Sequence, residues 1–578
     1  MRQYFHGMSV LTQSLRPRLV DLILFKLGTQ LSTGMDVKYL RESPLNWFPP
    51  SPGLLNEFIL GNEAVRTRAL EGLDTGGWRS DLRCLPGTRT RYINRIWEWV
   101  RSSEGPALCW LNGVAGSGKS SIGHELAATL HAKRRPYGCF FFRHDDGAMA
   151  LSAVRLLAYG LSFVSGLREL IIRAMVQSND TRVNPTIEEQ FASFIVTPLR
   201  EFASICPLMT VVLVIDGVDE CPADIRPSFL AAIAAGVPLL PSTVKVFLAS
   251  RPRVDVRKSL EALKLLEISV TVGVGQDDGD IEQFLQHELE RISKAAGLEK
   301  AWPAPQIQRD ASALASKAGG LFQWARLLSS LLVNRVQPHD VVLRILGIET
   351  SSTPEINLGA LYAEALKIAL PGAADDKNLG PLYRQVVGTV LAAKQPLTVS
   401  GICTLLNAVD DDASGSIKAL LENLGCVLVL DHFPNGAVAV RIGHPSFRDY
   451  VTSREQCPSS WFIDPHQASV LLGSRCFSLL WTTLRRDICR MGSPSVTNTE
   501  LSPGTIYQFI TTGLRYACNH AFTHIEGDSD NQRMLEIFLM EKLLEWLEAM
   551  TLIGLLDTAV ELMQRAIADL QQVCNVAR

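Results

Sequence analysis

The chain has 578 residues, 47% of them hydrophobic and 20% charged, with a formal net charge of −3. A single hydrophobic core does not grow to that length, so about three to five domains are expected. The charge balance gives no overall reason to bind nucleic acid or an acidic membrane, and the basic run Lys133-Arg134-Arg135 reads as the cationic last turn of a helix. Twelve cysteines include no CxxC pair and no Cys/His zinc spacing, which fits a reducing, cytoplasmic setting.

Taken in chain order, residues 1–80 read as a short helical segment. Its apolar patch Leu19–Phe25 is broken by Asp21 and flanked by Arg18 and Lys26, too short to cross a bilayer. No other stretch approaches a charge-free run of membrane length, so no membrane span is expected. The punctuation Pro49-Pro50-Ser51-Pro52-Gly53 closes the segment's first part. The loop Cys84-Leu85-Pro86-Gly87-Thr88-Arg89 then leads into an amphipathic helix with Ile93, Ile96, Trp97 and Val100 on one face.

Across 81–273, short apolar runs alternate with helical stretches. The runs are Ala107–Leu111, Gly138–Phe142, Thr210–Ile215, Val244–Ala249 and Ile268–Val272. That order predicts an α/β domain with a parallel sheet covered by helices. Residues 274–375 keep the helical period, as in Ile281–Ser293 and Ala311–Val333, and read as a helical lid. Within 376–458 come helices Leu382–Ala393, Val399–Leu406 and Ser416–Leu424, with Asp410-Asp411-Asp412 as an inter-helix loop. A β-like pair follows, Cys426–Asp431 and Ala437–Ile442, joined at Phe433-Pro434-Asn435-Gly436, which is a winged-helix pattern. Residues 459–578 read as all-α, closing on an apolar stretch from Met534 to Leu570.

The strongest chemical signal is Gly113-Val114-Ala115-Gly116-Ser117-Gly118-Lys119-Ser120, placed between a strand and a helix carrying Ile122, Leu126 and Leu130 on one face. This is a P-loop. Its glycines let backbone N–H groups curl around phosphates, and the helix N-terminus, with Ser121, adds favourable potential. Lys119 would reach the β- and γ-phosphates, and the Ser120 hydroxyl would ligate Mg²⁺. The second signal is Val211–Ile215 running into Asp216-Gly217-Val218-Asp219-Glu220. A carboxylate at that strand end suits Mg²⁺, so Asp216 is the expected metal partner; Glu220 or Asp219 would polarise the attacking water. Alternatively, Asp219 and Glu220 cap the following helix. Third, Val244–Ala249 ends in Ser250-Arg251-Pro252, where Arg251 either reports on a γ-phosphate or anchors a surface loop. His444 beside the hairpin is a structural residue or a ligand group, and His144-Asp145-Asp146 reads as a solvated loop.

In that order, Cys84–Arg89, Trp110–Ser120, Phe140-Phe141-Phe142, Ile215–Cys221 and Ala249–Pro252 resemble the NACHT NTPases of filamentous and mushroom-forming fungi and the nephrocystin-3-like NTPase module. Lys317–Ala325, His444–Tyr450 and Lys542–Ala549 continue the resemblance. It implies a STAND-type signalling ATPase akin to NOD-like receptors. ADP would hold such a switch closed, while ATP with Mg²⁺ would open it and permit homo-oligomerisation, with slow hydrolysis, in self/non-self recognition or immunity-like signalling. It also implies that His444 touches the ADP β-phosphate. The family's lid often carries a proline facing adenine, and Gly319–Trp324 has none. Many of these proteins continue into sensor repeats, which would begin where this sequence ends at Arg578. Competing readings are an ATP-driven remodelling enzyme and a nucleotide-binding scaffold without significant hydrolysis. A nucleic-acid role is disfavoured, because Ser416–Leu424 offers one Lys and one Glu.

Overall fold

A computed structural model describes residues 77–564, apart from 144–149, 165, 182–184, 273–277, 334, 352, 374–375, 377, 409–410, 434–435, 493–500, 525–528 and 557. The expected segment before residue 77, with Leu19–Phe25 and Pro49–Gly53, lies outside the described residues. So do His144-Asp145-Asp146, Asp410, the turn residues Pro434-Asn435 and the chain after 564.

Five strands follow the apolar runs: β1 (Leu108–Gly113), β2 (Tyr137–Phe141), β3 (Val211–Asp216), β4 (Val244–Ser250) and β5 (Leu265–Val270). They form one parallel sheet in the order β2-β3-β4-β1-β5. Alternate residues of each strand enter different cores. Trp110, Leu213, Ile215 and Leu248 pack on one face, while Leu111, Val212, Val214 and Phe247 pack on the other. β1, β3 and β4 are buried along their whole length, which is why they read as near-continuous apolar runs, whereas the edge strand β5 alternates, with Glu267 and Ser269 exposed. Helices α1 (Thr90–Arg101) and α2 (Lys119–Ala132) cover the second face with Ile96, Trp97, Val100, Ile122, Leu126 and Leu130. Lys133 caps α2 and sets its ammonium 4.4 Å from the centre of the Trp97 ring, so part of the basic run is packed onto α1.

Past the sheet, α3 (Asp278–Ala295), α4 (Ala304–Ala318) and α5 (Phe322–Leu332) form the lid. The expected continuous helix Ala311–Val333 is two helices. Gly319 and Gly320 take φ of 56° and 86°, a left-handed ending that most side chains resist, and the chain turns there. Helix α6 (Pro354–Ala369) packs on α5 and leads into the winged-helix region.

There α7 (Leu379–Ala392), β6 (Leu397–Thr398), α8 (Val399–Leu405) and α9 (Asp411–Asn423) precede β7 (Leu428–His432) and β8 (Val438–Ile442). The antiparallel sheet runs β6-β8-β7, so the wing is stitched to the short strand ahead of α8. Asp411 and Asp412 do not lie in a loop; they open α9, where carboxylates favour the positive end of the helix dipole. Helix α10 (Pro445–Val451) closes this region, and helices such as Pro465–Thr483, Thr512–His520 and Leu543–Leu552 build the rest. Among the described residues, no helix is long and apolar enough to cross a membrane.

One buried group in this last region sets an acid limit on stability. His524 is 1% exposed, with Nδ1 bonded to Ser469 Oγ at 2.9 Å and Nε2 to Tyr516 Oη at 2.8 Å. Burial, with Lys394 and His520 nearby, pushes its pKa down to about 3. The unfolded chain therefore takes up a proton near pH 6.5 that the folded chain refuses until about pH 3. Stability is intact above pH 6.5 and falls below it by up to ~1.4 kcal/mol per pH unit for this group. His524→Asn should lose ~1 kcal/mol less than the wild type between pH 6.5 and 5.5 in urea unfolding. Equal losses in the two proteins would rule the group out.

Candidate nucleotide-binding site

The P-loop leaves β1 between β4 and β5, at the C-terminal edge of the sheet. Gly116 and Gly118 hold φ of 77° and 92°, and a Cβ on Gly113 would lie 2.8 Å from the Val270 carbonyl oxygen. Only glycine satisfies these demands, and the result is a loop whose backbone curls ahead of α2. The Lys119 ammonium donates to the carbonyls of Gly113 at 2.8 Å and Val114 at 2.7 Å. Burial is the main influence on that lysine and pulls its pKa down, with Asp219 and Asp216 opposing. A desolvated cation backed by a glycine cradle is a receptor for phosphate.

A cavity of about 350 Å³ opens over this loop, within the usual range for small-ligand sites. Ala115, Gly116, Gly118, Lys119, Ser120, Ser121, Asp216, Asp219, Glu220, Arg251 and His444 all line it. Gly113, Val114 and Ser117 shape the loop without lining the cavity. The first two hold Lys119, and the Ser117 carbonyl accepts from Arg89 Nη2 at 2.6 Å.

Asp216 is 4% exposed and accepts a hydrogen bond from Ser120. Burial pushes its pKa up to about 6, against the pull of Ser120 and Lys119. A buried carboxylate beside a hydroxyl is a set of hard oxygen donors short of positive charge, and it fits Mg²⁺ shared with phosphates and water. Among the described residues no group of three His, Cys, Asp or Glu side chains is placed to hold a metal ion by itself.

Asp219 and Glu220 sit in the turn Val218–Glu220. They do not cap the next helix, which starts after Ile225 with no side-chain cap. Both Asp219 oxygens are engaged by Arg251: Oδ1 accepts its backbone N–H at 2.9 Å and Oδ2 meets its Nε at 3.2 Å. Arg251 Nη1 also donates to Asp449 Oδ2 at 3.0 Å, so this arginine joins the tip of β4 to α10. His444 caps α10, with Nδ1 accepting from the Ser446 backbone N–H at 3.2 Å. Burial, then Lys119, Arg251 and Arg326, push its pKa down to about 3, leaving the ring neutral.

Several residues the sequence reading passed over belong to this site. Arg89 is 2% exposed, grips the P-loop through Ser117, donates its backbone N–H to Asp280 Oδ2 at 2.9 Å and lies 4.5 Å from the Phe322 ring centre. The Cys84–Arg89 motif pointed to it, without showing what it would hold. Gln323, at the start of α5, donates its backbone N–H to Gly116 O at 3.1 Å and ties the lid to the P-loop. Arg326, one turn on, lines the cavity and influences His444. Leu85, Phe284, Phe322 and Val333 give the cavity an apolar flank where the lid lacks a proline.

The parallel sheet, glycine loop and paired acidic strand end define a P-loop NTPase fold, continued by a helical lid, a winged-helix region and further helices. The family model described as "Nephrocystin 3, N-terminal" matches residues 89–251. No curated protein matches the chain. Similar solved structures include the Walker-type ATPase of Pyrococcus abyssi, 15% identical over 63% of this chain and 95% of that one, with a TM-score of 0.30. A STAND protein with a tetratricopeptide-repeat sensor from Pyrococcus horikoshii is 14% identical over 85% of this chain, with a TM-score of 0.36. The match spans 59% of that protein's chain. Cdc6p from Pyrobaculum aerophilum is 13% identical over 66% of this chain and 96% of that one, with a TM-score of 0.28.

Proposed function

We propose that this chain is a nucleotide-dependent switch that binds ATP or ADP with Mg²⁺, hydrolyses ATP slowly, and changes conformation and assembly with the nucleotide held. One observation supports this above the others: a single cavity carries Lys119 of the P-loop, Gln323 and Arg326 of the lid, and His444 of the winged-helix region. A ligand filling it would touch all three at once, so its phosphates would bias how they sit together.

Ser120 and Asp216 would hold Mg²⁺, which offsets phosphate charge, while Lys119 holds the β- and γ-phosphates. The base would lie on the flank of Leu85, Phe284, Phe322 and Val333. Arg251 has a choice. In the closed form it is shared between Asp219 and Asp449, and a γ-phosphate would compete with Asp449 for it. Asp449 is 56% exposed, so that bridge is worth under ~1 kcal/mol and is one contact of several holding α10 down. With Asp219 committed to Arg251, Glu220 takes the role of general base. The motifs' resemblance to fungal NACHT proteins supports reading such a switch as one that acts in cytoplasmic, immunity-like signalling through protein partners.

The test is to identify the nucleotide that co-purifies and to follow mass in solution with ADP or a non-hydrolysable ATP. Bound ADP in a monomer, and larger assemblies with the ATP analogue, are expected. An empty protein that stays monomeric with either nucleotide would overturn the proposal.

A further inference from the structure

We propose that Tyr362 and Ser446 are positioning residues: they fix His444 in the neutral tautomer that points an Nε2–H donor at a nucleotide phosphate, through a one-way relay beginning at Gln323. This rests on the reading of the cavity as a nucleotide site.

The direction of the relay follows from proton counting. His444 Nδ1 accepts the Ser446 backbone N–H at 3.2 Å, and a backbone N–H can only donate. Nδ1 is therefore bare, and a neutral imidazole must carry its proton on Nε2. The Ser446 hydroxyl lies 2.7 Å from the same nitrogen, so it donates there. Its lone pairs are left for the Tyr362 hydroxyl at 2.9 Å, whose one proton goes to Ser446. Tyr362 in turn accepts from Gln323 Nε2 at 3.4 Å. Every bond points the same way, towards Nδ1, which leaves the Nε2–H for the cavity.

Packing keeps the relay in place. Tyr362 is 1% exposed, its ring 5.4 Å from Tyr450 and 5.3 Å from Phe447, so the hydroxyl has little freedom to turn. Burial holds its phenol protonated, with a pKa up to about 12. The far end is anchored as well, because Gln323 donates its backbone N–H to Gly116 O in the P-loop at 3.1 Å. The relay thus starts on the loop that would hold the phosphates and ends on a histidine facing the same cavity. A neutral donor suits this position, since Lys119, Arg251 and Arg326 already surround the ring and a fourth cation would be repelled.

The experiment uses the full chain, with ADP as the probe. ADP affinity is measured for the wild type, Tyr362→Phe, Ser446→Ala, His444→Ala and the double variant Tyr362→Phe/His444→Ala. Nitrogen NMR on histidine-labelled protein reports the tautomer of His444. The two relay variants should each weaken ADP about 3–10-fold, as expected for a lost neutral hydrogen bond. Tyr362→Phe should add nothing once His444 is gone. Ser446→Ala removes the 2.7 Å hydroxyl donor and leaves only the backbone N–H at 3.2 Å on Nδ1, so it should raise the share of the second tautomer. If His444→Ala weakens ADP but the relay variants bind within twofold of the wild type and keep a single tautomer, the relay is wrong and the nucleotide reading stands. Tyr362→Phe weakening ADP equally with or without His444 would also overturn it, since that is a general structural effect. If ADP binds wild type and His444→Ala alike, the histidine has no phosphate role; no ADP binding by the wild type would remove the site reading itself.

Discussion

Lys119→Ala is expected to weaken ATP and ADP binding by at least ~100-fold, because truncating one partner of a buried charge pair costs several kcal/mol. The empty fold should tolerate the change. The Lys119 ammonium sits against two carbonyls at a cost in desolvation, which lowers its pKa, and removing it relieves that cost as it removes two hydrogen bonds. Asp216 loses a favourable neighbour and can answer by keeping a proton, since burial already lifts its pKa to about 6. The measurement is thermal unfolding with and without ADP and Mg²⁺. A ligand at a hundred times its Kd stabilises the wild type by ~2.7 kcal/mol, and the variant should show no such rise. A ligand-induced rise equal to the wild type's would remove Lys119 from the site.

Glu220→Gln should do the opposite: leave binding close to the wild type and lower hydrolysis by ~100-fold or more, the usual worth of a general base. Three carboxylates gather at the end of β3, and their surroundings separate them. Asp216 is buried against Ser120, and Asp219 has both oxygens on Arg251 with its side chain 7% exposed. Glu220 lines the cavity beside them. Glutamine keeps the shape and removes the basic oxygen, so bound ATP should persist in a single-turnover assay in which the wild type converts it to ADP. Hydrolysis within threefold of the wild type would transfer the role elsewhere, first to Asp219.

How far the sequence could be read depended on the range of the interaction concerned. The central strands were legible because burial on two faces writes near-continuous apolar runs between turn residues, while the edge strand β5 showed a weaker, alternating pattern. The P-loop was legible because its chemistry is local: two left-handed glycines, a close approach at Gly113 and a lysine opening the next helix all fall within eight residues. The wing could be read from its helix order and hairpin. Where local pattern was ambiguous, reading faltered. The helical period ran through Gly319-Gly320, although two left-handed glycines end the helix there. The acidic run at 411–412 looked like a loop, although carboxylates are also good helix openers.

For the site, Asp219 and Glu220 are chemically alike and adjacent, so nothing along the chain could tell them apart; Arg251 does so in space. Arg326 and Tyr362 carried no signal of their own, and the motifs that hold Arg89 and Gln323 did not say what either would touch. Each acts through a partner on a distant element, and its direction follows from packing rather than spacing.

By itself, then, the sequence determined that a strand, a glycine loop and a helix would build a P-loop, with an acidic strand end beside it. These are short-range consequences of backbone sterics and of burying a sheet on both faces. The tertiary structure alone decided that lid and winged helix close over that loop, that Arg251 is shared between Asp219 and Asp449, and that His444 turns a bare nitrogen to Ser446. Those outcomes depend on which surfaces meet after the chain folds, and on desolvation that no single segment experiences alone.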